Sequence, residues 1–117
     1  MKIQNPEIFR LHANFCKVLA NPTRLMLIAL LSKAEHSVGQ LAEATDSSLA
    51  TTSQHLRVLR EHDVVTSRKD GQTVYYCITD PRLMEACIKI RTILLDGMKA
   101  RGLVARELEP AGVVDEM

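Results

Sequence analysis

The side chains in this chain that could do chemistry are few: three cysteines, four histidines and one run of small polar residues. Cys16, Cys77 and Cys87 are soft ligands and, when ionised, nucleophiles. His12 stands four residues before Cys16, so on a helix the two share a face. That pair suits a soft or borderline ion: arsenite if thiolates dominate, zinc if the imidazole joins. Two of the thiols could instead form a regulatory disulfide or polysulfide link. Reduced cysteine is also a small apolar residue that is often buried, so each thiol has a structural reading beside the sensory one. An odd count with no close pair is not a disulfide framework. His36 and His62 have no ligand spacing to another histidine and read as surface residues, His62 near a helix C-terminus where a charged ring is favoured.

A second set suits nucleic acid. If the stretch from about Leu49 to His62 is a helix, a rotation of 100° per residue turns Leu49, Thr52, Ser53, Leu56 and Leu59 inward. The outer face then begins with small polar groups and no acid. Gln54 can pair with an adenine edge, and Ser48 and Thr51 can donate to or accept from either base type. His55 is expected to approach the bases as well. Arg57 lies further down the helix, and Arg68, Lys69 and Gln72 lie in a basic segment beyond it, where phosphates would be held.

The elements that must carry these groups are marked by proline. Asn5-Pro6, Asn21-Pro22 and Asp80-Pro81 each place a capping side chain before a proline, which predicts helices starting near residues 6, 22 and 81. The first is expected over about Pro6–Ala20, with Ile8, Leu11, Phe15 and Cys16 at helical spacing. The second, from Pro22 to Lys33, is apolar almost all round and should be central. Ser37 to Gln40 fits a capping box and opens a short third helix with Val38, Leu41 and Ala42 inward. Thr45 to Ser48 is a turn before the fourth helix. Residues 64–69 and 72–78 are rich in β-branched and aromatic types, and Asp70-Gly71 between them signals a two-residue type I′ hairpin. The last helix carries Leu83, Cys87, Ile90 and Leu94 on one stripe and Met84, Ile88 and Leu95 on another. So broad an apolar surface on a terminal helix predicts packing on a partner. A hairpin directly after a helix–turn–helix is the winged-helix arrangement: mainly α, with a β-hairpin wing, in the order α1-α2-α3-α4-β-β-α5.

Length and composition bound the rest. The 117 residues make one domain, expected over 1–105, with a flexible tail over 106–117 that contains Pro110. A net charge of +1 gives no global basic field, so contact with DNA must come from local clusters. Without tryptophan, and with two tyrosines and two phenylalanines, the chain lacks the aromatic platforms of single-strand binders. The apolar run Leu25–Leu31 is too short to span a bilayer, and the N-terminus does not look like a signal peptide, so a cytoplasmic protein with reduced thiols and no membrane partner is expected. No glycine-rich phosphate loop, nucleophile elbow or paired catalytic carboxylates are present, which argues against an enzyme. A winged helix that only docks on protein is the other reading, but Ser47, Thr51 and Gln54 are not the large apolar anchors of such a face.

Leu19-Ala20-Asn21-Pro22-Thr23-Arg24-Leu25, Ser37 to Ala42, Ser53-Gln54-His55-Leu56-Arg57-Val58-Leu59 and Gly71-Gln72-Thr73-Val74-Tyr75-Tyr76 together resemble the ArsR/SmtB family of bacterial winged-helix repressors, over about residues 8–95. The resemblance implies a homodimer joined by its first and last helices. It implies that the fourth helix of each subunit reads an inverted-repeat operator in double-stranded DNA until an effector releases it. It also implies that Cys16 would lie near Cys87 of either subunit, with Cys77 held apart near the wing. The family's effector sites do not carry over intact. The metalloid branch has Cys-x-Cys at the start of the third helix, where this chain has Ser37 to Ala42. The zinc branch has a carboxylate and histidines across the last helix, where this chain has Asp80 and Asp96 but no histidine. The persulfide branch pairs a cysteine of the second helix with one of the last, and the second helix here has none.

Overall fold

The computed structural model describes residues 1–103 and 107–113. Five helices and a small sheet follow in the order α1 (Pro6–Leu19), α2 (Pro22–Lys33), β1 (His36–Ser37), α3 (Val38–Ala44), α4 (Leu49–Glu61), β2 (Val65–Asp70), β3 (Thr73–Ile78) and α5 (Arg82–Ala100). α2 is the central element: Leu27, Ile28, Ala29 and Leu31 are buried. Around it close Val18 of α1, Leu41 of α3, Leu56 and Leu59 of α4, and Val64 and Val65 where the chain enters the wing. The one buried polar side chain in that set of helices, Thr52, donates its hydroxyl to the carbonyl of Ser48 at 2.9 Å, so its burial is compensated.

The caps explain most boundaries. Asn21 accepts from the backbone N–H of Arg24, a bond that adds about 1 kcal/mol to a helix start. Ser37 and Gln40 form the full reciprocal capping box of α3. Asp80 accepts from the N–H of Arg82 at 3.0 Å, so α5 starts one residue later than expected. Asn5 makes no side-chain cap, and there proline alone opens the helix. Both helices of the helix–turn–helix end alike. Asp46 and Asp63 take φ of 52° and 58°, and the next N–H reaches back to the carbonyls of Ala42 and Leu59 at 3.0 and 2.9 Å. Those are Schellman closures with aspartate in the left-handed place usually held by glycine. α5 runs through Gly97 without a break to Ala100.

The sheet differs from the expected hairpin in two ways. His36, expected only as a surface residue, and Ser37, expected only to open the capping box, form a third strand, and the order is β1-β3-β2 with His36 opposite Tyr76. Two residues have no hydrophobic period, so nothing local marks them as strand. The turn is also shifted by one residue. Asp70 pairs with Thr73, which leaves Gly71 and Gln72 as the loop. Positive φ falls on Gly71 alone, at 62°, the pattern of a II′ turn with glycine first, whereas I′ needs it at both positions.

α4 also departs from its expected faces. Thr52, Leu56 and Leu59 are buried, but Leu49 and Ser53 are exposed and Val58 packs against the core. The covered stretch of α4 runs from Thr52 to Leu59, and its first turn stands clear of the core. Of the expected tail, residues 107–113 lie back against the helices: Arg91 donates to the carbonyl of Pro110 at 3.1 Å, and Lys99 pairs with Glu107 at 3.0 Å. The proposed boundary at 105–106 falls outside the described residues. Among the described residues no single helix is long and apolar enough to cross a membrane.

Candidate nucleic-acid interface

α4 begins where the helix–turn–helix bends, and its first turn is closed on itself. Ser48 accepts from the N–H of Thr51 at 3.0 Å and donates its hydroxyl proton to Thr51 Oγ1 at 2.8 Å. Thr51 therefore keeps its own hydroxyl proton free to point outward. One turn on, Gln54 is exposed and, among the described residues, hydrogen-bonds to nothing. A long polar side chain on the open face of a helix, with donor and acceptor both unengaged, is what bidentate reading of a base edge requires.

The cations around it are not equivalent. Arg57 donates to Glu61 at 3.1 Å in an exposed i,i+4 pair, which is weak and easily exchanged for a phosphate. Arg60, one turn beyond Arg57 on α4, reaches Ser67 on β2 at 3.5 Å and links helix to wing. Lys69 and Gln72 stand exposed at the tip of the wing. Arg68 differs from the phosphate contact expected of it. Its guanidinium forms a bidentate pair with Glu35 and lies over the ring of Tyr75, 4.8 Å from the centroid. The hydrogen bond from Arg68 holds the Glu35 carboxyl below the usual carboxylate range. Nε and Nη2 face Glu35, so while the pair holds, Arg68 can offer a phosphate only the N–H groups that point away from it. The pair spans 33 residues of sequence, so no local signal announces it.

His55 also differs. Its ring turns sideways on α4, half-buried, and Nδ1 accepts from Nε of Arg24 at 3.2 Å. Burial first, and then the Arg24 charge, push its pKa below the ordinary histidine value, so the ring is neutral at pH 7. Arg24 was legible only as part of the Asn21–Leu25 stretch, with no role attached.

The sulfur and imidazole groups are dispersed. His12 and Cys16 are both exposed on α1. Cys87 is buried on α5, and that burial pushes its thiol pKa up. Cys77 is partly covered, its sulfur 3.1 Å from Thr66 Oγ1 across the β2–β3 pair. No three histidine, cysteine or carboxylate side chains come together as a metal site within one subunit, among the described residues.

α1 and α5 each leave large apolar side chains in water. Phe9 on α1 and Ile90 and Ile93 on α5 are 59%, 65% and 73% exposed, too much for side chains of that size to be left in water by chance. Leu11 on α1 and Leu94 on α5 are exposed as well.

Comparison with known proteins agrees with this geometry. The helix-turn-helix domain family matches residues 19–68, from the end of α1 into the wing. The uncharacterized HTH-type transcriptional regulator Rv0081 of Mycobacterium tuberculosis is 33% identical over 112 residues, covering 94% of this chain and 97% of that protein. Its crystal structure superposes with a TM-score of 0.74, over 82% of this chain and 97% of that one. The biofilm growth-associated repressor of Xylella fastidiosa is 36% identical over 69% of this chain and 71% of its own length. The structure of that repressor gives a TM-score of 0.67 over 76% of this chain and 91% of that one. The cadmium resistance transcriptional regulatory protein CadC of Listeria innocua is 40% identical over 62% of this chain and 61% of its own length. With the helix–turn–helix, the wing and the polar reading face in place, this chain belongs to the ArsR/SmtB family of winged-helix transcriptional regulators.

Proposed function

We propose that the chain is a homodimeric, cytoplasmic repressor whose two α4 helices enter successive major grooves of an inverted-repeat operator. The observation that carries this reading is the unengaged Gln54 amide on the exposed face of α4, beside exchangeable cations and above a self-satisfied first turn. Gln54 reads a base edge, with Thr51 beside it. Ser48 spends its acceptor on the cap and serves mainly to hold the helix N-terminus toward a phosphate. Arg57, Lys69 and, after exchange from Glu35, Arg68 hold the backbone, with Gln72 at the wing tip. The exposed apolar faces of α1 and α5 are the natural seat of the second copy, which places two reading helices roughly one DNA turn apart, about 34 Å.

Release by an effector belongs to that helical face. Cys16 is the thiol open to reagents, and Cys87 is shielded. Because one subunit assembles no ligand cluster, a site for arsenite, zinc or reactive sulfur built from His12, Cys16 and Cys87 has to be completed by the second subunit.

The test is fluorescence anisotropy of the gene's own upstream DNA, titrated with reduced protein at several salt concentrations. Three phosphate-holding cations per subunit predict a log–log salt slope of about −5 for the dimer. Gln54→Ala should weaken specific binding about tenfold and leave binding to random DNA unchanged. A flat salt dependence would sink the DNA reading and leave protein docking in its place. Repeating the titration with arsenite and with a polysulfide assigns the effector: loss with either makes the cysteines the sensor, and indifference to both returns them to structure.

A further inference from the structure

Arg24 occupies the junction of three helices and bonds to all three. Its backbone N–H is capped by Asn21 at 3.2 Å, at the start of α2. Nη1 donates to the carbonyl of Val18, in the last turn of α1, at 3.0 Å. Nε donates to Nδ1 of His55, in the middle of the reading helix, at 3.2 Å. Val18 is buried in the core, and its helix carries the exposed apolar surface of Phe9 and Leu11. A planar guanidinium with rigidly spaced donors is suited to hold two acceptors in fixed relative positions, which a lysine ammonium cannot do.

The chemistry at His55 is constrained by this bond. An arginine has no acceptor, so Nδ1 must offer its lone pair and the ring must carry its proton on Nε2. A neutral ring held this way cannot turn Nδ1 to a base. Resting on the proposed DNA-reading role of α4, we infer that Arg24 and His55 form a bolt that sets the placement of the reading helix from the end of α1. They are positioning residues and touch no DNA. Because α1 is part of the surface that a second copy would cover, movement there reaches Gln54 through two hydrogen bonds and one guanidinium.

The test uses isosteres. Asparagine places its side-chain oxygen where Nδ1 of histidine lies, whereas glutamine places it near Nε2. His55→Asn should therefore keep own-promoter affinity within about twofold, while His55→Gln, His55→Ala and Arg24→Met each lose about tenfold. The Arg24→Met/His55→Ala double variant should lose no more than either single one, because each change breaks the same bolt. The salt slope should not change in any of them, since no phosphate contact is removed. Nitrogen NMR of the ring in the free protein should show a neutral His55 protonated on Nε2. Losses that multiply, a His55→Asn variant as weak as His55→Ala, or a changed base preference at one operator position would overturn the bolt. So would a ring protonated on Nδ1. If the wild-type protein ignores its promoter, the DNA reading fails alone. The ring's tautomer and the melting temperatures then still decide the bolt: it stands if His55→Asn melts with wild type and His55→Gln below it, and falls if the two melt together.

Discussion

The two ends of this molecule are finished to different degrees. On the α4 and wing face almost every polar group has a partner within the same subunit: Ser48 with Thr51, Arg57 with Glu61, Arg68 with Glu35, Arg60 with Ser67. Among the described residues Ser53, Gln54, Lys69 and Gln72 are left over, and on the proposed reading Gln54, Lys69 and Gln72 are the groups a DNA duplex would use. On α1 and α5 it is the apolar side chains that are unfinished: Phe9, Leu11, Ile90, Ile93 and Leu94 stand in water. The first face is a surface prepared for a polar, exchangeable partner, since each ion pair on it is exposed and cheap to open. The second is half of a core, and half a core is completed by a permanent partner. On the proposed reading the difference separates a reversible event from a lasting one: DNA would come and go at one end while the other holds the two copies together.

The largest expected effect comes from breaking the unfinished end. Ile93→Asp places a charge in the middle of the apolar surface, where a second copy would have to bury it. Sedimentation should show a folded monomer, because Ile93 contributes little to the subunit's own core. Own-promoter affinity should fall by about a hundredfold or more, since the second reading helix no longer binds as part of the same molecule. A monomer that keeps full affinity would dissolve the contrast between the two faces.

How much of that contrast was legible beforehand depends on the range of the interactions. The helices were legible because their signals are local: Asn21-Pro22, the Ser37–Gln40 box, and the apolar period of α5. The exposure of Thr51, Gln54 and Arg57 was legible because a helix's outer residues follow from its period. What sequence alone could not place are partnerships across the fold. Glu35 finds Arg68 across 33 residues and Arg24 finds His55 across 31, and neither pair leaves a pattern in composition or spacing. Both pairs engage a side chain that was expected at the DNA: Arg68 is held by Glu35, and the His55 ring by Arg24. The third strand was invisible for a similar reason: His36–Ser37 becomes strand only because β3 offers it an edge. The inward turn expected of Leu49 and Ser53 failed because periodicity reports the direction of a face and not how much of it the rest of the fold covers.

A middle-sized effect sharpens the comparison through the thiols. Cys16 lies seven residues from Phe9 on the same stripe of α1, while Cys87 is buried against the subunit's own helices. Burial raises the Cys87 thiol above its ordinary pKa, with the nearby Arg91 charge opposing, so little thiolate is present at neutral pH. In the Ile93→Asp monomer, iodoacetamide should modify Cys16 about tenfold faster than Cys87. In the wild-type dimer Cys16 should slow toward the Cys87 rate. Mass spectrometry of partially alkylated protein reads both rates at once. A Cys16 that reacts equally fast in monomer and dimer would move the interface off that stripe of α1.

The smallest expected effect lies at the finished end and tests whether its pairs are truly exchangeable. Glu35→Gln leaves Arg68 without its bidentate carboxylate while keeping the stacking on Tyr75. If Arg68 must release Glu35 to hold a phosphate, removing that competitor should tighten operator binding about threefold, the modest size set by the weakness of exposed pairs. The salt slope should stay the same, because the number of phosphates contacted does not change. Acidification is a poor substitute for the substitution. Arg68 lowers the Glu35 pKa, so the carboxylate stays charged and paired down through the ordinary carboxylate range, and the pair opens only as pH falls below it. Between pH 6 and 8 the wild type and Glu35→Gln should therefore differ by a constant factor. An unchanged affinity in Glu35→Gln would mean that Arg68 never leaves the wing, and that Lys69 and Arg57 carry the phosphates without it.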